Sequence, residues 1–165
     1  MQAAADGAEK IYEAERSRFP ERLIGQVRVY GDSVFVADVA QALEQLQAAY
    51  PYGFSLVQRY IRAVIQSDID PRKGTSNAVI YRRAAENGSL GVPITWFAAA
   101  LVGRAVATRK LLRFHIWRSP RSALGSLKHE LRAMRLLQCE PEYFHRQNNK
   151  ILRLERRLRA RANTG

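Results

Sequence analysis

His129 and Glu130 stand side by side in LKHELRA, the opening of an H-E-x-x-H arrangement. In that arrangement two histidines one helical turn apart bind zinc, and the glutamate polarises a water for hydrolysis. Here the second histidine position is Ala133, so the pair alone does not make a zinc site. The other histidines are His115 and His145, and none of the three is spaced i, i+3 or i+4 from another. A hydrolase with an atypical metal site built from His115, His129, Glu130 and His145 is an alternative that requires three separate segments to converge. Isolated histidines are more often surface or helix-end residues. The one cysteine, Cys139, excludes an intrachain disulfide and a cysteine-cluster metal site. Its expected role is a small residue packed at a helix end.

Other catalytic patterns are absent. There is no G-x-S-x-G, no P-loop and no G-x-G-x-x-G. Asp68 and Asp70 sit two apart in a loop-like stretch beside Pro71, where acidic residues usually form turns rather than do acid–base work. No cofactor is expected.

The cations are more informative. Residues 1–100 hold 11 Lys/Arg and 11 Asp/Glu, whereas residues 101–165 hold 16 and 4, so the whole net charge of +12 lies in the C-terminal part. The stretch NNKILRLERRLRARA places Lys150, Arg153, Arg156, Arg157, Arg159 and Arg161 within about three helical turns. Arg113, Arg118 and Arg121 lie around a Ser-Pro turn with Phe114 and Trp117 beside them. Such a face suits an anionic partner: nucleic acid bound in a salt-dependent way, an acidic protein or an acidic membrane surface. The plain alternative is a solvated face on Arg-rich helices. No sequence-specific reader motif stands out. Ile151, Leu154 and Leu158 are spaced for a partner helix or self-association, over too short a run for a coiled coil alone.

The elements that must position these residues follow from hydrophobic spacing. A chain of 165 residues with 47% hydrophobic and 25% charged residues suits a single domain. The expected fold class is α+β, mostly helical, with a small sheet of two or three strands and a basic C-terminal helix. The segments are 1–22 (helical), 23–140 (core) and 141–165 (basic helix). LIGQVRVYG alternates as one strand, with Val27 and Val29 on one face. Ser33 caps a helix over 34–49 that buries Phe35, Val39, Leu43 and Leu46. Pro51-Tyr52-Gly53 makes a tight turn into a second helix over 54–66, striped by Leu56, Val57, Tyr60, Ile61, Val64 and Ile65. AVIYR, 78–82, is a second strand. Pro93 starts a buried helix over 94–112, and Ser119-Pro120 starts another that runs to about residue 138. The longest near-apolar run, Val92 to Gly103, is shorter than the roughly 20 residues of a membrane span. The N-terminus lacks a signal peptide's apolar core. The chain is therefore expected to be cytoplasmic, with no transmembrane segment.

The buried helix carries Gly103 and Arg104 in its middle, where glycine costs about 1 kcal/mol relative to alanine. The succession of strand, helix pair, loop, short strand and buried helix, with Leu101-Val102, Ala105 and Leu111-Leu112-Arg113, resembles a group of uncharacterised bacterial proteins with a zinc-peptidase-like fold. It spans residues 27–138. In those proteins the helix reads LVHEAxHxxLL. The resemblance implies that Gly103 and Ala107 stand where the two zinc-binding histidines would be, and Arg104 where the glutamate would be. Glu130, in the matching later helix, would stand near the third ligand. It implies a degenerate metallopeptidase site without zinc, acting by binding rather than catalysis, with Arg104 filling the cleft beside Glu130. Without the family, Gly103 admits a neighbouring helix closely and Arg104 lies on the exposed face.

Overall fold

The computed structural model of the chain describes residues 2–69, 79–83, 90–114 and 119–164. Six helices and four strands occur among them: α1 (Gln2–Arg16), β1 (Glu21–Ile24), β2 (Val27–Tyr30), α2 (Ser33–Ala49), α3 (Pro51–Tyr60), β3 (Ala63–Gln66), β4 (Val79–Arg82), α4 (Ile94–Phe114), α5 (Pro120–Leu136) and α6 (Pro141–Thr164). The fold is α+β and mostly helical, with one small sheet.

The sheet has four strands in the order β1-β2-β3-β4, rather than two or three. Two sequence readings hid the extra strands. The stretch around Gly25 reads as one strand but folds as an antiparallel hairpin, with Ile24 paired to Val27 across Gly25-Gln26. Gly25 has φ +61°, the positive-φ geometry that a tight hairpin turn requires. The Gln26 amide also donates to Oε1 of Gln58 at 2.6 Å, which ties the turn to α3. The expected helix over 54–66 ends at Tyr60, and Ala63–Gln66 is a strand parallel to β2 and β4. Its apolar pairs fit a helical stripe up to Ile61. Beyond it, β-branched Val64 and Ile65 gain ladder bonds and two-sided burial instead. Pro51 is likewise not in a turn but opens α3, where its missing N–H costs nothing.

Period-two alternation assigns each sheet side chain to a face. Val29, Val64 and Ile80 are register partners, and Val29 and Val64 are buried in the main core with α2, α3 and α4. Tyr30, Ile65 and Tyr81 point the other way and pack with Tyr12 of α1. The residue that caps α2 is Asp32 rather than Ser33: its carboxylate accepts from the Phe35 amide at 2.8 Å. Gln66 at the end of β3 donates to the same carboxylate at 3.1 Å and accepts from the Asp32 amide at 2.8 Å. These bonds hold the Asp32 carboxyl below its ordinary range.

Helix α4 is the centre of the domain. Phe97, Ala98, Ala99, Leu101, Val102, Gly103, Ala105 and Val106 are all buried, because α2, α3, α5 and the sheet surround it. Each large apolar side chain buried this way contributes about 1.5–3 kcal/mol. Ser119 caps α5 by accepting from the Ser122 amide at 3.1 Å, and Pro120 occupies its first turn, as expected. Of the apolar side chains spaced along α5, Leu131 and Met134 are buried, while Leu124 and Leu127 are partly exposed. α6 packs on α5 through buried Gln147 and Ile151. No helix among the described residues is long and apolar enough to cross a membrane.

Candidate functional site

Gly103, Arg104, Ala107 and Glu130 line one cleft of about 360 Å³ between β4, α4 and α5. β4 contributes Ile80 and Arg82 to it, and α4 adds Phe97. The α4 residues recur at 97, 100, 104 and 107, which is one helix face.

Gly103 itself is buried, and α5 comes close to it. A Cβ at this position would meet Oε2 of Glu130 at 2.7 Å and the Glu130 Cβ at 3.2 Å. The close helix approach belongs to the family-free expectation for Gly103. Arg104, however, is partly buried and lines the cleft rather than an exposed face.

Glu130 is only partly exposed. Burial raises its pKa from the ordinary 4.5 to about 7, against the pull of Lys150 and of a hydrogen bond from Gln147, both on α6. Lys150 is thus one cation that acts on Glu130. Gln147 is buried and also donates to the Leu127 carbonyl at 3.1 Å. Cys139 is partly buried at the end of α5; burial raises its thiol pKa, and Thr95 donates a compensating hydrogen bond.

Sequence reasoning missed Arg82. Its Nε is buried without a hydrogen-bond partner, and its guanidinium lies over the Phe97 ring, 5.7 Å from the centroid. Burial alone pulls its pKa below the ordinary arginine value. The signal was present: alternation in AVIYR puts Arg82 on the same face as Ile80, toward α4.

The donor set does not fit zinc. Gly103 and Ala107 carry no ligating atom, and Arg104 is a cation, which leaves Glu130 as the only anionic ligand of the four. His129 precedes Glu130; burial and the charges of Arg109, Lys110 and Arg132 keep its imidazole neutral, and its Nδ1 has no partner among the described residues, but one imidazole beside one carboxyl falls short of the three protein ligands of a zinc site. His145 is exposed on α6. His115 lies outside the described residues, as do Asp70, Trp117, Arg118 and the Phe114 side chain. Among the described residues no three His, Cys, Asp or Glu side chains gather.

The basic residues fall in two places. Arg113 and Arg121 are exposed near the α4–α5 junction, and Lys150, Arg153, Arg156, Arg157 and Arg159 are exposed along α6. Arg159 pairs loosely with Glu155 at 3.8 Å, and Lys128 of α5 holds the other Glu155 oxygen at 3.3 Å. Beyond Ile151 no α6 residue is buried, so Leu154 and Leu158 are only partly covered and Leu152 is exposed. A larger cleft, of about 490 Å³, lies between β2, α3 and α4. Two of its arginines are already neutralised: Arg28 by Glu21 at 2.9 Å and Arg62 by Glu9 at 3.1 Å.

Compared with known protein families, curated proteins and solved structures, the chain matches none. The resemblance to zinc peptidases therefore rests on its residues alone.

Proposed function

We propose that this chain is a non-catalytic binding protein. Its ligand site is the cleft between β4, α4 and α5, where the resemblance puts a metal centre, and its basic helices meet an anionic partner. One observation supports this reading most: the four residues singled out from sequence for their places in the peptidase motif line one cleft. Their chemistry is that of binding. Among its described lining residues the cleft offers apolar wall, two guanidinium groups and one carboxyl, without a Ser, Cys or Lys nucleophile or a full ligand set for a metal.

The test is metal content of the purified chain, with the melting temperature before and after chelation. The expected result is no stoichiometric zinc and no shift. Stoichiometric zinc with a chelator-sensitive melting temperature would overturn the reading and point to His115, His129, Glu130 and His145. The placement of the ancestral site has its own test. The triple variant Gly103→His, Arg104→Glu, Ala107→His is expected to gain zinc affinity with Glu130 as third ligand. A folded variant, by circular dichroism, that takes up no zinc sinks that placement.

A second reading, a nucleic-acid-associated protein unrelated to peptidases, is favoured by the exposed arginines of α6. It predicts binding that weakens steeply with salt.

A further inference from the structure

We infer that the β4 end of this cleft is a subsite for a small organic acid, its carboxylate on Arg82 and its apolar body along Phe97, Ala100 and Leu101. The inference deepens the reading of the cleft as a ligand site and rests on it.

Arg82 carries the argument. Strand alternation turns it toward α4, into a layer otherwise built of Val29, Val64 and Ile80. Arg82 is only partly exposed in that layer, so its guanidinium gives up part of its water, a loss that a bound anion would offset. None is supplied among the described residues. Its register partner, Gln66, is engaged with Asp32, whose carboxylate is already shared with the Phe35 amide. Glu130 lies by Gly103, six residues along α4 from Phe97, which is about 9 Å of helix axis. Among the described residues the guanidinium of Arg82 lies over the Phe97 ring and its buried Nε has no hydrogen-bond partner, so its hydrogen-bonding capacity is not used up there.

The rest of the cleft selects the ligand class. A guanidinium edge matches the two oxygens of a carboxylate with parallel hydrogen bonds. Phe97, Ala100 and Leu101 form an apolar wall that has nothing to offer a bare inorganic anion. The volume of about 360 Å³ matches roughly a dozen waters at about 30 Å³ each, or a compact organic acid.

The test is calorimetric titration of the full chain with phenylacetate and hexanoate, against neutral 2-phenylacetamide, inorganic phosphate and a capped neutral tetrapeptide. Both acids are expected to bind, with the amide and phosphate at least tenfold weaker. Arg82→Met is expected to weaken the acids tenfold or more while melting, unliganded, no lower than the parent. Arg82→Lys, which keeps the charge without the planar edge, is expected to fall between. Equal binding of phenylacetate and its amide, equal binding of phosphate, or undiminished affinity in Arg82→Met overturns the inference. If the acids fail and the neutral peptide binds in the cleft, the acid assignment falls and the binding reading stands. If no ligand binds, both fall.

Discussion

Oε2 of Glu130 lies 2.7 Å from the place a Cβ on Gly103 would occupy, and the Glu130 Cβ lies at 3.2 Å. The glycine in the middle of α4 is therefore a packing residue: α5 sits against the bare backbone. Two effects compete in Gly103→Ala. Helix propensity gains about 1 kcal/mol, and overpacking costs about 1–3 kcal/mol. The carboxylate can swing away, but the Glu130 Cβ moves only if α5 moves. The expected net effect is a loss of about 1 kcal/mol, read by urea unfolding. A more stable alanine variant would mean that α5 yields freely and that its approach does not require glycine.

Glu130 gives the cleft a pH signature. In the folded chain its pKa is about 7, raised mainly by burial, against an ordinary 4.5. A carboxyl with a raised pKa favours the folded state when protonated. Its contribution is therefore full below pH 4.5, declines as pH rises toward 7, and becomes a standing cost above that. Glu130→Gln removes the charge and keeps the shape. At pH 8 it is expected to stabilise the chain by about 2 kcal/mol, after allowance for partial exposure, and at pH 4 to have almost no effect. Equal effects at both pH values would show that the carboxyl titrates normally.

Much of the cleft was legible because its signals are local. A Gly-Arg pair inside a core helix is out of place in one dimension, and it marks the cleft in three. The caps at Ser119-Pro120, the α4 stripe and the α6 charge face were readable for the same reason. What stayed hidden depends on distant partners. Ala63–Gln66 continues the spacing of α3, and only pairing with β2 and β4 makes it a strand. Gly25-Gln26 sits inside an alternating run, and its turn is fixed by Gln58, which lies 32 residues on from Gln26. Alternation in AVIYR puts Arg82 on the Ile80 face, but that α4 packs over this face depends on distant residues.

His129 predicts the opposite slope. Burial, then Arg109, Lys110 and Arg132, depress its pKa below the ordinary 6.5. The unfolded chain therefore takes up a proton before the folded one does. Stability contributed by neutral His129 is present above pH 6.5 and is lost as pH falls below it. His129→Asn is expected to flatten the fall in melting temperature between pH 6.5 and 5. An unchanged slope in the variant would place the titrating group elsewhere.

The basic helix makes the most direct statement about a partner. Arg156 and Arg157 are exposed on α6 beyond its last buried residue, Ile151, so changing them leaves the core intact. Neither forms an ion pair with another described residue, and both are open to phosphate. Converting both to glutamate is expected to leave the melting temperature within a degree or so. Affinity for a random DNA or RNA duplex at low salt should drop at least tenfold. The dependence of log affinity on log salt should become shallower by about two contacts' worth. A parent chain that binds neither nucleic acid at low salt removes that partner from consideration. An acidic protein would then be the partner to seek for the same arginines. A double variant that binds as the parent does would move the interface off α6 and toward Arg113 and Arg121.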